Sequence, residues 1–406
     1  MTNHQIIGSF KWMKSINRSL ILNMIRKEGP ISRAEIAKRS KLSPPTVTNL
    51  VNELLETRMI KEGKIGVSSG GRKPILLSIN PSSHYVIGVD VGIHKVTVVI
   101  TDLEATIIDE RVFPLAEKMS NEQFLQLLIK GIAEIISSSD LPIDMFIGIG
   151  VAMHGIVDYL DGVAVYAPNF QLRNIPIKDV LEAEFKVSVK VENDGRALAL
   201  AENWFGSAVG VGNIVCVNVG IGVGSGIIMN GRLVHGSHGI AGEIGHTVIE
   251  KNGPKCSCGN NGCLQALSAG TAIKERALAE ITNGSATTIV KLAEGDLPKI
   301  DGKTVYLAAK GGDKVAIEIL RTSGMYLGMG IANLINLLNP ELIVLSGGVS
   351  RAGDFIVKPI KDEVKQRVLT EQATQTKIIV STLGKYGTVI GAVTLVLKDI
   401  FVIESH

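Results

Sequence analysis

The sequence predicts an α/β protein with a small helical module at its amino-terminal end. The chain has 406 residues, of which 45% are apolar and only 4% aromatic, and it contains 44 glycines. Cores built from Val, Ile, Leu and Ala, with glycines shaping the turns, are typical of α/β proteins. The length corresponds to about two to three domains at roughly 100 to 200 residues each. These observations exclude a disordered or fibrous protein.

The first 80 residues differ from the remainder in charge. They contain 14 Lys and Arg against 5 Asp and Glu, whereas residues 81–406 contain 28 against 34. A basic module joined to an acidic body indicates that the module contacts phosphate groups. Charge asymmetry alone is equally compatible with a role in solubility.

Apolar residues at helical spacing predict three helices before residue 60. Gly29-Pro30 ends the first helix, Ser32 caps the second, and Pro44-Pro45 fits the first turn of the third. This order is typical of a helix-turn-helix, whose last helix presents short polar side chains to base edges in a major groove. The candidate DNA contacts on this helix and in the short turn before it are Ser43, Thr46, Thr48, Asn49 and Asn52.

Two strands are predicted at residues 59–65 and 74–79, around a tip that ends in Arg72 and Lys73. A flexible tip with two cations is typical of a wing that lies along the minor groove, so both residues are candidate DNA contacts. Three short helices with a hairpin also occur in protein-docking modules, but the positive charge favours DNA. We assign residues 1–80 to a winged helix-turn-helix domain and residues 81–84 to a linker.

Strands and helices alternate from residue 85 onwards. A three-strand meander is followed by a helix at 121–138 and a strand at 145–151, and a similar series begins again near residue 214. Two similar halves predict two α/β lobes with a cleft between them. We assign residues 85–192, completed by about 380–402, to the first lobe and 193–379 to the second.

The sequence also predicts the compartment. The uncharged stretch 203–231 is long enough to cross a membrane, but its glycines and β-branched residues predict buried strands joined by a turn. The amino-terminal residues do not resemble a signal peptide. The chain has four cysteines, three of them close together, which indicates a reducing compartment. We expect a cytoplasmic protein without membrane insertion, in which Cys216 belongs to the core.

One group of residues has the composition of a metal site. Four soft or borderline ligands suit tetrahedral Zn²⁺ and leave no open position, which predicts one structural zinc ion per chain. The alternative is a set of reduced cysteines without a metal. Glu243 lies three residues before the first of these ligands, so the metal would position it in the cleft. The predicted ligands are His246, Cys256, Cys258 and Cys263.

Asn193 and Asp194 follow a predicted strand and precede a helix, which is where α/β folds bind ligands. Asp194 can accept a proton from a hydroxyl group, whereas the alternative role of the pair is to cap the helix. The glycines between residues 220 and 226 allow a backbone to approach a ligand, although glycine spacing alone is weak evidence.

Together these motifs resemble the ROK family (repressor, open reading frame, kinase). The amino-terminal module is similar to that of the repressor branch, which includes bacterial xylose and N-acetylglucosamine repressors. The resemblance implies two actin-like or hexokinase-like lobes, a sugar or sugar phosphate in the cleft, structural zinc, and a homodimer or homotetramer. It rests on the winged helix-turn-helix and on Asp90-Val91-Gly92, Ala167-Pro168-Asn169, Asn193-Asp194, the glycine loop, Glu243-Ile244-Gly245-His246 and the cysteine cluster.

The family's sugar contacts can be carried over residue by residue. In a kinase member Asp194 would be the general base. His154, Leu172 and Gln265 stand where the family has mostly Pro, Trp and Glu, so the identity of the sugar stays open. The implied sugar contacts are Asn169, Asn193, Asp194, Glu243, His246 and Gln265.

The phosphate loops differ from those of the family's kinases. Ile93, His94 and Ile221 replace glycine and small hydroxyl residues, which disfavours ATP and leaves Asp194 as a vestigial base. We therefore expect a non-catalytic repressor of carbohydrate-utilisation genes, such as those of xylose metabolism, that binds operator DNA and responds to a sugar. The alternative is an active ATP-dependent sugar kinase with an appended DNA-binding domain. A protein partner for the acidic body is compatible with either function.

Overall fold

A computed structural model describes residues 10–65, 73–116 and 118–402. The amino-terminal module contains three helices and a small sheet in which β3 lies between β1 and β2, antiparallel to both. The predicted helix-turn-helix and its hairpin are confirmed, whereas the wing tip with Arg72 lies outside the described residues. The elements of the module are α1 (Phe10–Glu28), β1 (Ile31–Ser32), α2 (Arg33–Ser40), α3 (Pro44–Glu56), β2 (Ile60–Ile65) and β3 (Ile75–Ile79).

Helix starts in this module follow the predicted chemistry. The hydroxyl of Ser32 accepts a hydrogen bond from the backbone N–H of Glu35 at 3.2 Å, which caps α2. The apolar spacing of α1 predicts that Leu20, Ile21 and Ile25 share a buried face, but only Ile21 and Ile25 are buried and Leu20 is 40% exposed. Successive helical residues lie about 100° apart, so Leu20 falls outside the buried stripe that its neighbour Ile21 occupies.

The first lobe is a five-stranded sheet of order β11-β7-β4-β5-β6, with β8, β9 and β10 in a small separate sheet. Strand β7 pairs in parallel with β4 and β11, whereas β5 pairs antiparallel with β4 and β6. The elements are β4 (Tyr85–Val91), β5 (Lys95–Thr101), β6 (Ile107–Pro114), α4 (Asn121–Ser138), β7 (Phe146–Met153), β8 (Ile156–Asp158), β9 (Val163–Ala167), β10 (Leu172–Ile175), α5 (Ile177–Phe185), β11 (Val189–Asn193) and α6 (Asp194–Phe205).

The second lobe repeats this topology with a sheet of order β14-β13-β12-β15-β16. The predicted pair of similar halves is therefore confirmed. The elements of the second lobe are β12 (Ile214–Val219), β13 (Val223–Met229), β14 (Arg232–Leu233), α7 (Leu264–Ser268), α8 (Gly270–Thr282), α9 (Ile289–Leu292), α10 (Gly302–Lys310), α11 (Lys314–Leu338), β15 (Leu342–Ser346), α12 (Asp354–Arg367) and β16 (Lys377–Val380), and the last helix of the chain is α13 (Gly387–Phe401).

The uncharged stretch 203–231 forms the end of α6 and the strands β12 and β13, with Cys216 buried in β12 as predicted. Among the helices that the structure describes, none combines the length and the apolar character needed to cross a membrane.

Helix α13 brings the end of the chain back onto the first lobe, where it packs on β4, β7 and α6. Two glycines allow this close approach. A Cβ atom on Gly150 of β7 would lie 1.8 Å from the carbonyl oxygen of Ala392, and one on Gly391 would lie 2.1 Å from that of Ala197 in α6. Because no side chain fits at either position, α6, α13 and the sheet form one tightly packed unit.

The amino-terminal module packs directly on this unit. Its core is continuous with apolar residues of β4, β5 and α13. The Ser19 hydroxyl of α1 donates to the carbonyl of Ile400 at 3.3 Å. The assigned linker forms one turn, in which Ser83 is buried and Pro81 accepts a hydrogen bond from Leu103 N–H at 3.1 Å. The module is thus held against the body by packing on both sides of this turn.

Candidate functional site

Three parallel strands of the first lobe end at one edge of the sheet. Asp90 of β4 pairs with Ala152 of β7, and Asn193 of β11 pairs with Met153. The residues that follow these strands therefore lie together at the edge where α/β sheets bind ligands. This register brings together Asp90, His154 and Asp194.

Asn193 caps α6. Its side-chain oxygen accepts hydrogen bonds from Gly195 N–H at 2.9 Å and Arg196 N–H at 3.2 Å. Its amide nitrogen donates to the carbonyl of Gly155 at 3.0 Å. The capping role expected as the alternative for this pair is thus confirmed for Asn193, and the same side chain ties α6 to the loop after β7. A direct sugar contact by Asn193 stays a prediction.

The carboxyl groups of Asp90 and Glu243 both lie close enough to Asp194 to be influenced by its charge. Burial raises the pKa of Asp90 to about 7, and the negative charge of Asp194 adds to this effect. Burial also raises the pKa of Asp194, while the nearby His154 and the N–H of Gly195 act in the opposite direction. For Glu243, burial and then the charge of Asp194 raise the pKa. The two lobes thus contribute carboxyl groups to one desolvated site.

A buried ion pair holds the second lobe to this edge. The Arg196 Nε atom donates to Glu192 at 2.7 Å, and the two side chains are only 1% and 3% exposed. His235 contacts the other carboxylate oxygen of Glu192 at 2.7 Å. Arg196 also donates to the carbonyl of Gly239 at 2.8 Å. Burial alone would raise the pKa of Glu192, but the hydrogen bonds from His235 and Arg196 hold it below its usual range.

Glu243 is positioned by a tight turn against β13. Residues Ile244–His246 form one 3-10 turn, in which His246 N–H donates to the carbonyl of Glu243 at 3.1 Å. The Ser225 hydroxyl donates to the carbonyl of Gly242 at 2.7 Å. A Cβ atom on Gly245 would lie 1.9 Å from the carbonyl oxygen of Val223, so the turn lies directly on the strand.

The metal-type side chains converge at the end of this turn. The ligand atoms of His246, Cys256, Cys258 and Cys263 all lie within 4.8 Å of one another. The Sγ atoms of Cys258 and Cys263 are 3.7 Å apart, and His246 Nδ1 is 3.7 Å from Cys256 Sγ. This group could therefore hold one metal ion.

Gln265 lies against the same group. Its amide nitrogen is 3.4 Å from Cys256 Sγ and donates to the Ser257 hydroxyl at 3.1 Å. Its amide oxygen lies 3.1 Å from where a Cβ atom of Gly222 would be. Gln265 thus connects the cysteine cluster to the glycine loop between β12 and β13, and its sugar contact stays a prediction.

Asn169 lies in an exposed turn after β9. The next residue, Phe170, is buried and packs its ring on His154 with centroids 5.0 Å apart. Asn169 is therefore placed beside the same edge of the first lobe as Asp194.

The candidate DNA contacts lie on the outer face of α3. The opposite face is buried through Val47, Leu50, Val51 and Leu54, so Thr48, Asn49 and Asn52 are exposed. Ser43 and Thr46 are also engaged within the protein, because the Ser43 hydroxyl accepts from Thr46 N–H at 3.3 Å and caps α3. Lys73 is exposed two residues before β3.

Three residues of the cleft are absent from the predicted site. Asp90 occurs in a motif that carried the resemblance, and His154 is a departure from the family pattern, so both had a signal in the sequence. Arg196 had none beyond its spacing of four residues from Glu192, because a charge at that spacing is usually a surface pair.

Comparison with known proteins decides the family. Residues 86–399 match the model of the ROK family, and residues 15–61 match that of winged helix-turn-helix DNA-binding domains. The chain belongs to the ROK family.

Relatives that cover nearly the whole chain are ROK transcription regulators. The xylose repressor of Caldicellulosiruptor bescii is 31% identical over 396 residues, which is 97% of this chain and 98% of that protein. The DNA-binding transcriptional dual regulator NagC of Escherichia coli is 35% identical over 392 residues, which is 97% of this chain and 95% of its own.

Solved structures of ROK proteins are also similar to this chain. A ROK family transcriptional regulator, homologous to the Escherichia coli MLC protein, has a TM-score of 0.85 at 28% identity and covers 96% of this chain and 98% of its own. A ROK family glucokinase from Streptomyces griseus, in complex with glucose and AMPPNP, has a TM-score of 0.68 at 29% identity and covers 77% and 98%. The protein is a DNA-binding transcription regulator and a non-catalytic relative of the sugar kinases, which confirms the prediction from the sequence.

The raised pKa of Asp90 predicts a pH-dependent stability. Protonated Asp90 stabilises the fold below about pH 4, and this contribution is lost as the pH rises through about 7. The loss amounts to about 1.4 kcal/mol per pH unit within that window. In Asp90→Asn we therefore expect a smaller fall in the free energy of unfolding between pH 5 and pH 8, measured by urea denaturation.

Asp362→Asn, which changes an exposed carboxyl on α12, serves as the control and should follow the wild-type profile. An Asp90→Asn profile identical to that of wild type would contradict the buried environment assigned to Asp90.

Proposed function

We propose that this ROK regulator represses carbohydrate-utilisation genes, and that a sugar or sugar phosphate bound between the lobes changes its affinity for operator DNA. The observation that carries the proposal is the convergence of Asp90, Asp194 and Glu243 on one desolvated site. Carboxylate oxygens accept hydrogen bonds from hydroxyl groups, which a sugar supplies in number. The names of the relatives, which include a xylose repressor and an N-acetylglucosamine repressor, support the same class of ligand.

On the DNA side, we expect the exposed face of α3 to enter the major groove. Asn49 and Asn52 can form paired hydrogen bonds with adenine, while Ser43, Thr46 and Thr48 lie near the helix start, which favours phosphate contacts. Arg72 and Lys73 would add affinity through the wing. Two such modules in a homodimer or homotetramer would bind a palindromic operator in the cytoplasm.

Helix α6 is the proposed route from the cleft to the DNA-binding module. It begins at Asp194 and ends at Phe205, which is about 18 Å at 1.5 Å per residue. Near its far end, the guanidinium of Arg26 in α1 lies 3.9 Å above the ring of Trp204 and 5.8 Å from that of Phe401. Burial lowers the pKa of Arg26 to about 10, which reflects how closely this contact is packed. A ligand that shifts Asp194 would move the surface on which α1 rests.

We further infer that the metal is Zn²⁺. A tetrahedral site with Zn–S distances of about 2.3 Å requires sulfur atoms about 3.8 Å apart. The 3.7 Å separation of the Cys258 and Cys263 Sγ atoms fits this requirement. His246, Cys256, Cys258 and Cys263 would hold the ion, whose role with four protein ligands is structural. The ion would fix the turn that positions Glu243, and it would leave the second nitrogen of His246 for a sugar hydroxyl.

The sugar-sensing function can be tested with the full-length protein. We expect thermal stabilisation by at least one of D-xylose, D-glucose, N-acetyl-D-glucosamine or a phosphate of these sugars, since a ligand at 100 times its Kd adds about 2.7 kcal/mol. The same ligand should change the affinity for a duplex selected by the protein from random sequence. Asp194→Asn should lose both effects and keep its affinity for DNA without ligand, because the lost carboxylate faces the cleft.

Asp362→Asn should behave as wild type in these assays. ATP-dependent phosphorylation of any sugar of the panel, lost in Asp194→Asn, would contradict the proposed non-catalytic function and favour an active sugar kinase.

Zinc removal should abolish the ligand response. Elemental analysis should find about one zinc per chain in wild type and much less in Cys258→Ser, because the site loses one of its four ligands and a thiolate is replaced by a weaker hydroxyl ligand. Thermal stabilisation by the active sugar should fall with the zinc content, since the turn that holds Glu243 ends at His246. Ser257→Ala changes a neighbour outside the ligand set and should keep the metal. Wild-type protein purified without chelators and found free of zinc would refute the site.

The contact between α1 and α6 should carry the allosteric signal. Arg26→Met keeps an unbranched apolar side chain and removes the guanidinium that lies over Trp204. We expect it to bind the sugar as wild type does, while the sugar-induced change in operator affinity falls at least about fivefold, within the usual range of allosteric coupling. Both quantities can be read from sugar and DNA titrations.

Lys27→Met removes the same charge from an exposed neighbouring position and controls for the loss of a cation in the module. Full sugar-dependent regulation in Arg26→Met would rule out this route.

A further inference from the structure

His154 has a buried nitrogen without a partner. The side chain is 7% exposed, and its Nδ1 atom lies 3.2 Å from the carbonyl oxygen of Val91 at the end of β4. Within the described part of the chain, Nε2 makes no hydrogen bond. Buried polar atoms in folded proteins nearly always have a partner, so this nitrogen calls for an explanation.

The bond to Val91 determines what the free nitrogen can do. A carbonyl oxygen only accepts hydrogen bonds, so Nδ1 carries the hydrogen atom. In the neutral imidazole Nε2 then has a lone pair and is an acceptor. The missing partner is therefore a donor, such as a hydroxyl group.

The imidazole lies among the residues of the predicted sugar site. The carbonyl of the next residue, Gly155, accepts the hydrogen bond from the Asn193 amide at 3.0 Å. On another side the ring meets the edge of Phe170, which follows Asn169. His154 is also close enough to Asp194 to influence the pKa of its carboxyl group. A ligand bound at Asp194 thus comes within reach of this side chain.

The ring is held in place before any ligand arrives. The Val91 carbonyl fixes one nitrogen, and Phe170 contacts the ring at 5.0 Å with planes inclined by 69°. Phe170 is itself packed on Phe124 of α4, with centroids 6.4 Å apart. An acceptor fixed in this way selects by geometry, because the ring cannot turn to satisfy Nε2 elsewhere.

We propose that His154 determines the ligand specificity of this regulator: its Nε2 atom accepts a hydrogen bond from one hydroxyl of the sugar, while Asp194 accepts from another. The inference rests on the proposed sugar-sensing function and adds to it a residue that selects among sugars. A sugar that lacks this hydroxyl leaves Nε2 buried and unpaired, so it binds more weakly. The Pro that is common at this position in the family has no side-chain acceptor.

The experiment compares dissociation constants of the full-length, zinc-loaded protein. The probes are the sugar of the panel that binds most tightly and its monodeoxy analogues, measured by calorimetry. Wild type should bind one of these analogues at least about tenfold more weakly than the parent sugar. His154→Phe keeps an aromatic ring against Phe170 but has no acceptor, so it should bind the parent sugar and that analogue equally.

Two further variants complete the design. His154→Gln places an amide where Nε2 lies and should restore part of the discrimination. His84→Phe makes the same substitution at the opposite end of β4 and should retain the wild-type ratios.

The outcomes separate this inference from the function on which it rests. If His154→Phe is folded and its ratios of dissociation constants between each analogue and the parent sugar equal those of wild type, His154 does not determine ligand specificity. If His154→Phe does not fold, His154→Gln decides, and unchanged ratios in that variant overturn the inference. If wild type binds no sugar of the panel, the proposed function itself fails.

Discussion

The cap that Asn193 forms on α6 is the interaction on which the functional geometry depends. One side chain satisfies two N–H groups at the helix start and also binds the carbonyl of Gly155. It therefore fixes three things at once: the direction of α6, the place of Asp194 in its first turn, and the loop that carries His154. Because glycines pack α6 tightly on α13 and β13, the far end of the helix has little freedom to move independently.

The site around this cap brings several carboxyl groups together where they are buried from solvent. Burial raises the pKa of Asp90, Asp194 and Glu243, and the charge of Asp194 raises it further for Asp90 and Glu243. The cation of Arg196 lowers the pKa of Asp194 and Glu243 and so offsets part of this effect. Buried carboxyl groups cost free energy unless they accept hydrogen bonds, so a ligand rich in hydroxyl donors would stabilise this site. Under the proposed function, a ligand that donates hydrogen bonds to these carboxyl groups would stabilise the contact between the lobes.

A kinase and a regulator can share this frame because they differ in what surrounds the cleft. Phosphoryl transfer needs loops that hold a triphosphate in line, and here Ile93, His94 and Ile221 occupy those loops. A regulator needs instead a mechanical connection to DNA. The connection that we propose is the shared core of α1, α13 and the first-lobe sheet, with Arg26 packed on Trp204.

The sequence by itself determined what depends on local chemistry: the helix-turn-helix, the repeated order of strands and helices, the cysteine cluster and the family. Helix caps, turn residues and apolar periodicity act over a few residues and are therefore readable from the chain. Only the tertiary structure decided that Asp90 lies beside Asp194, that His154 keeps an unpaired nitrogen, and that Arg26 lies on Trp204. These relations join residues between about 60 and about 180 positions apart, and they follow from strand register and helix packing, which no local pattern encodes.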